Sequence, residues 1–155
     1  MTQLTLQQVL DKAISKEIES QRLYSNLSER VTDNASKDAF QLLVRQERQH
    51  QNLLEQYSRG ELIEGALRQE QVLDYKIAEH LNQPEISPDM ELKEVFLLAA
   101  NREKASHEFY LEFAGVHPRG KVRKFLEELA AQELQHKRTV EFLYTEVAFP
   151  QTDGG

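Results

Sequence analysis

The 155 residues suit one domain with room for a full core, and only 4 prolines and 6 glycines interrupt a chain rich in helix formers. A net charge of −7 argues against a nucleic-acid surface, which needs a basic stripe to release counterions, and no apolar run approaches the roughly 20 residues that span a bilayer. With no cysteine, disulfides, thiolate metal sites and cysteine nucleophiles are excluded together, so any metal must be held by histidine and carboxylate. The start Met1-Thr2-Gln3-Leu4 lacks the basic and apolar build of a secretory signal, and a cytoplasmic protein is expected.

In chain order, a first amphipathic helix is expected from about Leu6 to Val31, opened by Thr5-Leu6-Gln7-Gln8 as a capping box. Its stripe is Leu6, Val9/Leu10, Ala13/Ile14, Tyr24, Leu27 and Val31. Asp33 or Asn34 caps a second helix with the stripe Phe40, Leu43/Val44, Leu54 and Tyr57, which stops at Arg59-Gly60. About 30 residues follow, in which 66–81 reads as a shorter helix and 84–89 as a loop. The third long helix begins near Asp89, carries Leu92, Val95/Phe96, Ala99/Ala100, Tyr110 and Phe113/Ala114, and stops at Gly115. The fourth starts with Pro118 in its first turn and carries Val122, Phe125/Leu126, Leu129/Ala130, Val140, Leu143 and Val147.

Short, long and short connections describe an all-α, ferritin-like antiparallel four-helix bundle with one long crossover holding a short extra helix. The expected domain is 1–149, with 150–155 a loose tail.

The chain matches itself at an offset of 86 residues: Glu17 with Glu103, Tyr24 with Tyr110, Glu47 with Glu133, His50 with His136. Ala13/Ala99, Ser20/Ser106, Gln46/Gln132, Gln49/Gln135 and Glu55/Glu141 match without a gap, so the last two helices repeat the first two in pattern. In all four helices the core-facing stripe is interrupted by a carboxylate, and in two by an imidazole as well. Glu and His three apart lie about 60° from each other around a helix and face the same way.

Heights agree with that facing. The midpoint of Glu17 and Glu47 is Thr32 and that of Glu103 and Glu133 is Pro118, each in a short turn, so each hairpin brings its two carboxylates level. Four buried carboxylates without cations would be very unfavourable. Two divalent ions balance four glutamates with both histidines neutral, and an oxygen and nitrogen donor set without sulfur suits Fe, Mn or Zn. The metal ligands expected are Glu17, Glu47, His50, Glu103, Glu133 and His136.

At Glu17-Ile-Glu-Ser-Gln-Arg-Leu-Tyr24, Glu47-Arg-Gln-His50, Glu103-Lys-Ala-Ser-His-Glu-Phe-Tyr110 and Glu133-Leu-Gln-His136 the chain resembles the rubrerythrin branch of the ferritin-like superfamily. The resemblance implies a centre of two iron ions bridged by Glu47 and Glu133. Glu17 and Glu103 would be terminal carboxylates, His50 and His136 terminal nitrogen ligands, and Tyr24 and Tyr110 catalytic partners bonded to the ligands. It implies an oxidoreductase that reduces hydrogen peroxide, or activates dioxygen with oxidation of ferrous iron.

There are two departures from the family pattern. Rubrerythrins proper carry a tetracysteine iron site, which this chain lacks, so electrons would come from a separate donor protein. They also carry an extra carboxylate one turn after the third-helix glutamate, where this chain has Ser106 and His107; His107 is read as structural rather than as a ligand. His80 and His117 are read as solvated. An iron-handling ferroxidase without a dedicated donor, and a structural bundle holding redox-inert metal, are the alternatives. Leu23, Leu53 and Phe142, at the edges of the core stripes, point to a homodimer.

Overall fold

A computed structural model describes residues 5–61, 74–81, 84 and 90–149. It is all-helical, with no strand among these residues. The elements are α1 (Leu6–Arg30), α2 (Asn34–Ser58), α3 (Ile77–His80), α4 (Leu92–Val116) and α5 (Lys121–Ala148). The all-α bundle class expected from the periodicity is the class observed. The chain forms two compact units, Met1–Ala66 and Leu67–Gly155. Each contains one copy of the repeat as a hairpin of two long helices.

In the first unit α1 packs along α2. The capping box forms as expected: Thr5 Oγ1 accepts from the Gln8 amide at 3.1 Å, and Gln8 Oε1 accepts from the Thr5 amide at 2.9 Å. α1 ends where Val31 turns extended, and Asp33 caps α2, its carboxylate accepting from the Ser36 amide at 2.9 Å and the Ser36 hydroxyl at 2.7 Å. Those bonds hold the Asp33 carboxyl below its usual range. Gly60, at φ 77°, closes the far end of α2, a left-handed conformation that costs glycine nothing. Val9, Leu10, Ala13, Tyr24, Leu27, Phe40, Leu43, Leu53 and Leu54 are buried, on the 3.6-residue period of the two stripes.

In the second unit α4 packs along α5, and α3 packs on α4. Residues Val95–Ala100 of α4 are buried on every face, as befits an unbroken apolar run. Phe125, Leu126, Leu129, Ala130 and Val140 form the buried stripe of α5.

Three boundaries differ from expectation. The fourth long helix begins at Lys121 rather than Pro118, because Gly120 takes φ 157° and ψ −166°, far from helical values, and leaves the proline in the turn. The third begins at Leu92, with Glu91 at its cap, and runs one residue past Gly115 to Val116; Asp89 lies outside the described residues. The helix expected over 66–81 is present only as Ile77–His80 among the described residues. Lys76 stands at φ 54° and ψ 33°, left-handed, and its amide donates to Asp74 Oδ1 at 2.9 Å, so a turn precedes α3. Residues 66–73, 85–89 and the tail 150–155 lie outside the described residues.

Candidate metal centre

Glu17 and Glu47 face each other because α1 and α2 fold about Thr32, and His50 follows Glu47 by three residues on the same face of α2. One ligand atom from each of Glu17, Glu47 and His50 lies within 4.8 Å of the others. His50 Nδ1 is 3.7 Å from Glu17 Oε1 and 3.9 Å from Glu47 Oε2, and all three side chains are buried.

The second unit repeats the arrangement. Glu103 on α4 and Glu133 and His136 on α5 likewise bring ligand atoms within 4.8 Å of one another. His136 Nδ1 is 3.6 Å from Glu103 Oε1 and 3.5 Å from Glu133 Oε2, again buried. The sequence repeat is thus a repeat of geometry, to within a few tenths of an ångström.

Such a triad favours positive charge. Burial raises the Glu103 carboxyl well above its usual range, and the neighbouring Glu133 carboxylate raises it further, opposed by His136. Burial alone would lower the His136 imidazole, but the Glu103 and Glu133 carboxylates lift it to about 10. In the metal-free protein a proton on His136 therefore serves as the local cation. A metal ion would take that place, with two carboxylates and a neutral imidazole as donors, and both triads fit that need.

Tyr24 and Tyr110 are fully buried, and each packs against phenylalanine. The Tyr24 and Phe40 rings stack at 6.1 Å, and Tyr110 meets Phe109 edge-on at 5.3 Å. His107 Nδ1–H donates to the Ala130 carbonyl at 2.6 Å, tying α4 to α5, which is the structural role expected of it. His117, expected to be solvated, is half-buried with its Nε2 out of solvent. The His80 side chain lies outside the description. Of the three apolar residues taken as a dimer face, Phe142 is exposed, Leu23 half-buried and Leu53 buried.

One cluster was missed by the sequence reading. Lys137, only 1 % exposed, places its Nζ 2.6 Å from Asp74 and 3.0 Å from Glu79, and 3.2 Å from the fully buried Glu141. The Ala78 amide donates to Glu141 Oε2 at 2.9 Å. Burial opposes the charge on Lys137, but its bonds to Asp74, Glu79 and Glu141 overcome this and raise its pKa. Lys137 lies four residues after Glu133 and four before Glu141, on the inward side of α5, and that register was the available signal.

Two helical hairpins, each carrying a buried carboxylate–histidine triad, make this an all-helical protein with a candidate metal-binding cluster in each unit. The rubrerythrin family model matches residues 8–81, from within α1 through α3, and over that stretch the chain is rubrerythrin-like. No curated protein matches the chain. A solved structure from Pyrococcus furiosus, described as hypothetical protein Pfu-1136390-001, is similar in fold. It has a TM-score of 0.69 at 22% identity, covering 96% of this chain and 94% of that one.

Proposed function

We propose that the two triads together hold one centre of two iron ions, and that the protein is a rubrerythrin-type oxidoreductase that reduces hydrogen peroxide or activates dioxygen while oxidising ferrous iron. The observation that carries this reading is the doubled triad: two carboxylates and a histidine, buried, at nearly the same spacing in both units. Manganese or zinc would satisfy the same donors.

When bound, two irons supply two electrons to an oxidant without releasing radicals. The residues have distinct tasks. Glu47 and Glu133 would be the carboxylates shared between the two ions, and Glu17 and Glu103 would complete the charge balance as terminal carboxylates. His50 and His136 supply neutral nitrogen, each oriented by carboxylates at 3.5–3.9 Å. Tyr24 and Tyr110, buried two turns beyond Glu17 and Glu103, would support the ligands as the resemblance implies. Burial of all six ligands excludes bulk water, which strengthens every charge interaction inside. Reducing equivalents come from a separate donor protein, because the chain has no cysteine to hold a second iron site. A homodimer in the cytoplasm remains part of the proposal.

A second reading, ferroxidation in the service of iron handling, is favoured by one observation. His107 stands near where rubrerythrins carry their extra carboxylate, and it is bonded to the Ala130 carbonyl instead. The two readings separate in one experiment: ferrous-loaded protein is mixed with peroxide or with air, with and without a reductant. Peroxide consumption that continues with reductant supports the peroxidase. A single oxidation, faster with air, that ends in accumulated ferric product supports iron handling.

A further inference from the structure

The two halves of the repeat are not alike at the position that follows the histidine ligand. After His50 comes Gln51, whose amide donates to Glu55 at 3.0 Å and accepts from Gln21 at 2.8 Å, all within α1 and α2. After His136 comes Lys137, and Glu141 takes the place of Glu55 at 3.2 Å. The lysine reaches further, out of its own hairpin, to Asp74 and Glu79 of the crossover, while Glu141 accepts from the Ala78 amide.

Segment 74–81 is therefore fastened to α5 by three polar contacts, and through α3 it packs on α4. It ties together the two helices that supply Glu103 on one side and Glu133 and His136 on the other. The separation of α4 and α5 sets the spacing of that triad. Lys137 Nζ lies among the three carboxylates of the fastening, so their cation is already part of the chain.

We propose that Lys137 is a positioning residue that latches segment 74–81 across the α4–α5 hairpin, so that the Glu103–Glu133–His136 triad releases its metal more slowly than the Glu17–Glu47–His50 triad. The inference rests on the reading that both triads hold metal. The latch itself is a separate matter of geometry.

The test uses the full chain loaded anaerobically with Fe(II) and challenged with a ferrous chelator. Release is expected in two phases, and His136→Ala identifies the slow one by removing it. In Lys137→Gln, which copies the Gln51 arrangement, the slow phase is expected to accelerate by about tenfold, as is typical when a residue supporting a ligand is lost, with the fast phase unchanged. Hydrogen exchange of the Ala78 amide, followed without metal, is expected to lose its protection.

Unchanged slow release alongside an exposed Ala78 amide overturns the positioning role; a still-protected Ala78 amide overturns the latch. If neither protein binds iron, the metal reading has failed, while Ala78 exchange still decides the latch. Should Lys137→Gln not fold, Asp74→Asn cuts one arm of the latch and is read in the same way.

Discussion

His136 Nδ1 stands 3.6 Å from Glu103 Oε1 across the α4–α5 hairpin, and 86 residues earlier His50 Nδ1 stands 3.7 Å from Glu17 Oε1 across α1–α2. The two hairpins share the residues of the repeat but differ at most other positions, and they hold this one relationship to within 0.1 Å. A relationship preserved while its surroundings differ points to the chemistry of the triad as the constraint.

Metal should stabilise the fold. Each triad gathers two carboxylates in a buried setting, and in the second unit burial and Glu133 together raise the Glu103 carboxyl. Ferrous iron at a free concentration a hundredfold above Kd should add about 2.7 kcal/mol for a single binding event, provided the unfolded chain does not bind it. Glu103→Gln, a neutral isostere, should abolish that gain at its own triad while leaving the metal-free protein as stable as wild type or more so. Thermal melts with and without Fe(II) check this; a metal-induced shift that survives in Glu103→Gln would count against the triad.

Loading should also release protons. His136, lifted to about 10, carries a proton at neutral pH, and a metal ligand must give it up. Affinity should therefore rise with pH between 6 and 8, and unbuffered protein should acidify on adding Fe(II). For metal-free protein the sign is opposite: a histidine whose pKa is raised on folding contributes stability that is complete below 6.5 and is lost as pH rises towards 10. Calorimetry in buffers of different ionisation enthalpy measures the protons directly, and zero release would refute the assignment.

The cap of α2 gives a prediction independent of metal. Asp33→Ala removes both bonds to Ser36 and should cost about 1 kcal/mol. Since folding lowers the Asp33 pKa, its contribution is present above its ordinary value near 3.8 and disappears as pH falls through the lower folded value. Wild type and Asp33→Ala should thus differ in urea midpoint at pH 7 and converge towards pH 2. A constant difference would mean that the carboxylate is not the cap.

Lys137→Met should destabilise the protein by about 3 kcal/mol or more, because it leaves the fully buried Glu141 without its cation. Lys137→Gln should cost less, since an amide can still donate to Glu141 as Gln51 does to Glu55. Equal losses in chemical denaturation would show that charge rather than donation holds the cluster.

Local rules made most of this legible in advance. Thr5, Asp33 and Gly60 mark helix ends by chemistry that acts within four residues, and all three act as expected. The triads were legible because a carboxylate or imidazole on an apolar stripe is costly enough to stand out, and because the pattern occurs twice. The Lys137 cluster was not: Asp74 and Glu79 meet it across about 60 residues of chain, with no period to announce the contact. The start of α5 was misplaced because Pro118 suits a first helical turn on its own, while the unusual backbone at Gly120 moves the boundary on by three residues.

The most direct test is to count metal. Purified chain, Glu47→Ala and Glu133→Ala would be loaded anaerobically with Fe(II), freed of excess, and assayed for iron per chain and for ferric absorption after peroxide. The account predicts about two irons per chain in wild type, with a fast rise in ferric absorption, and fewer than one in either variant, because each would lose a carboxylate that the proposed centre needs. Wild type that holds no stoichiometric iron, or variants that bind two as tightly, would contradict it.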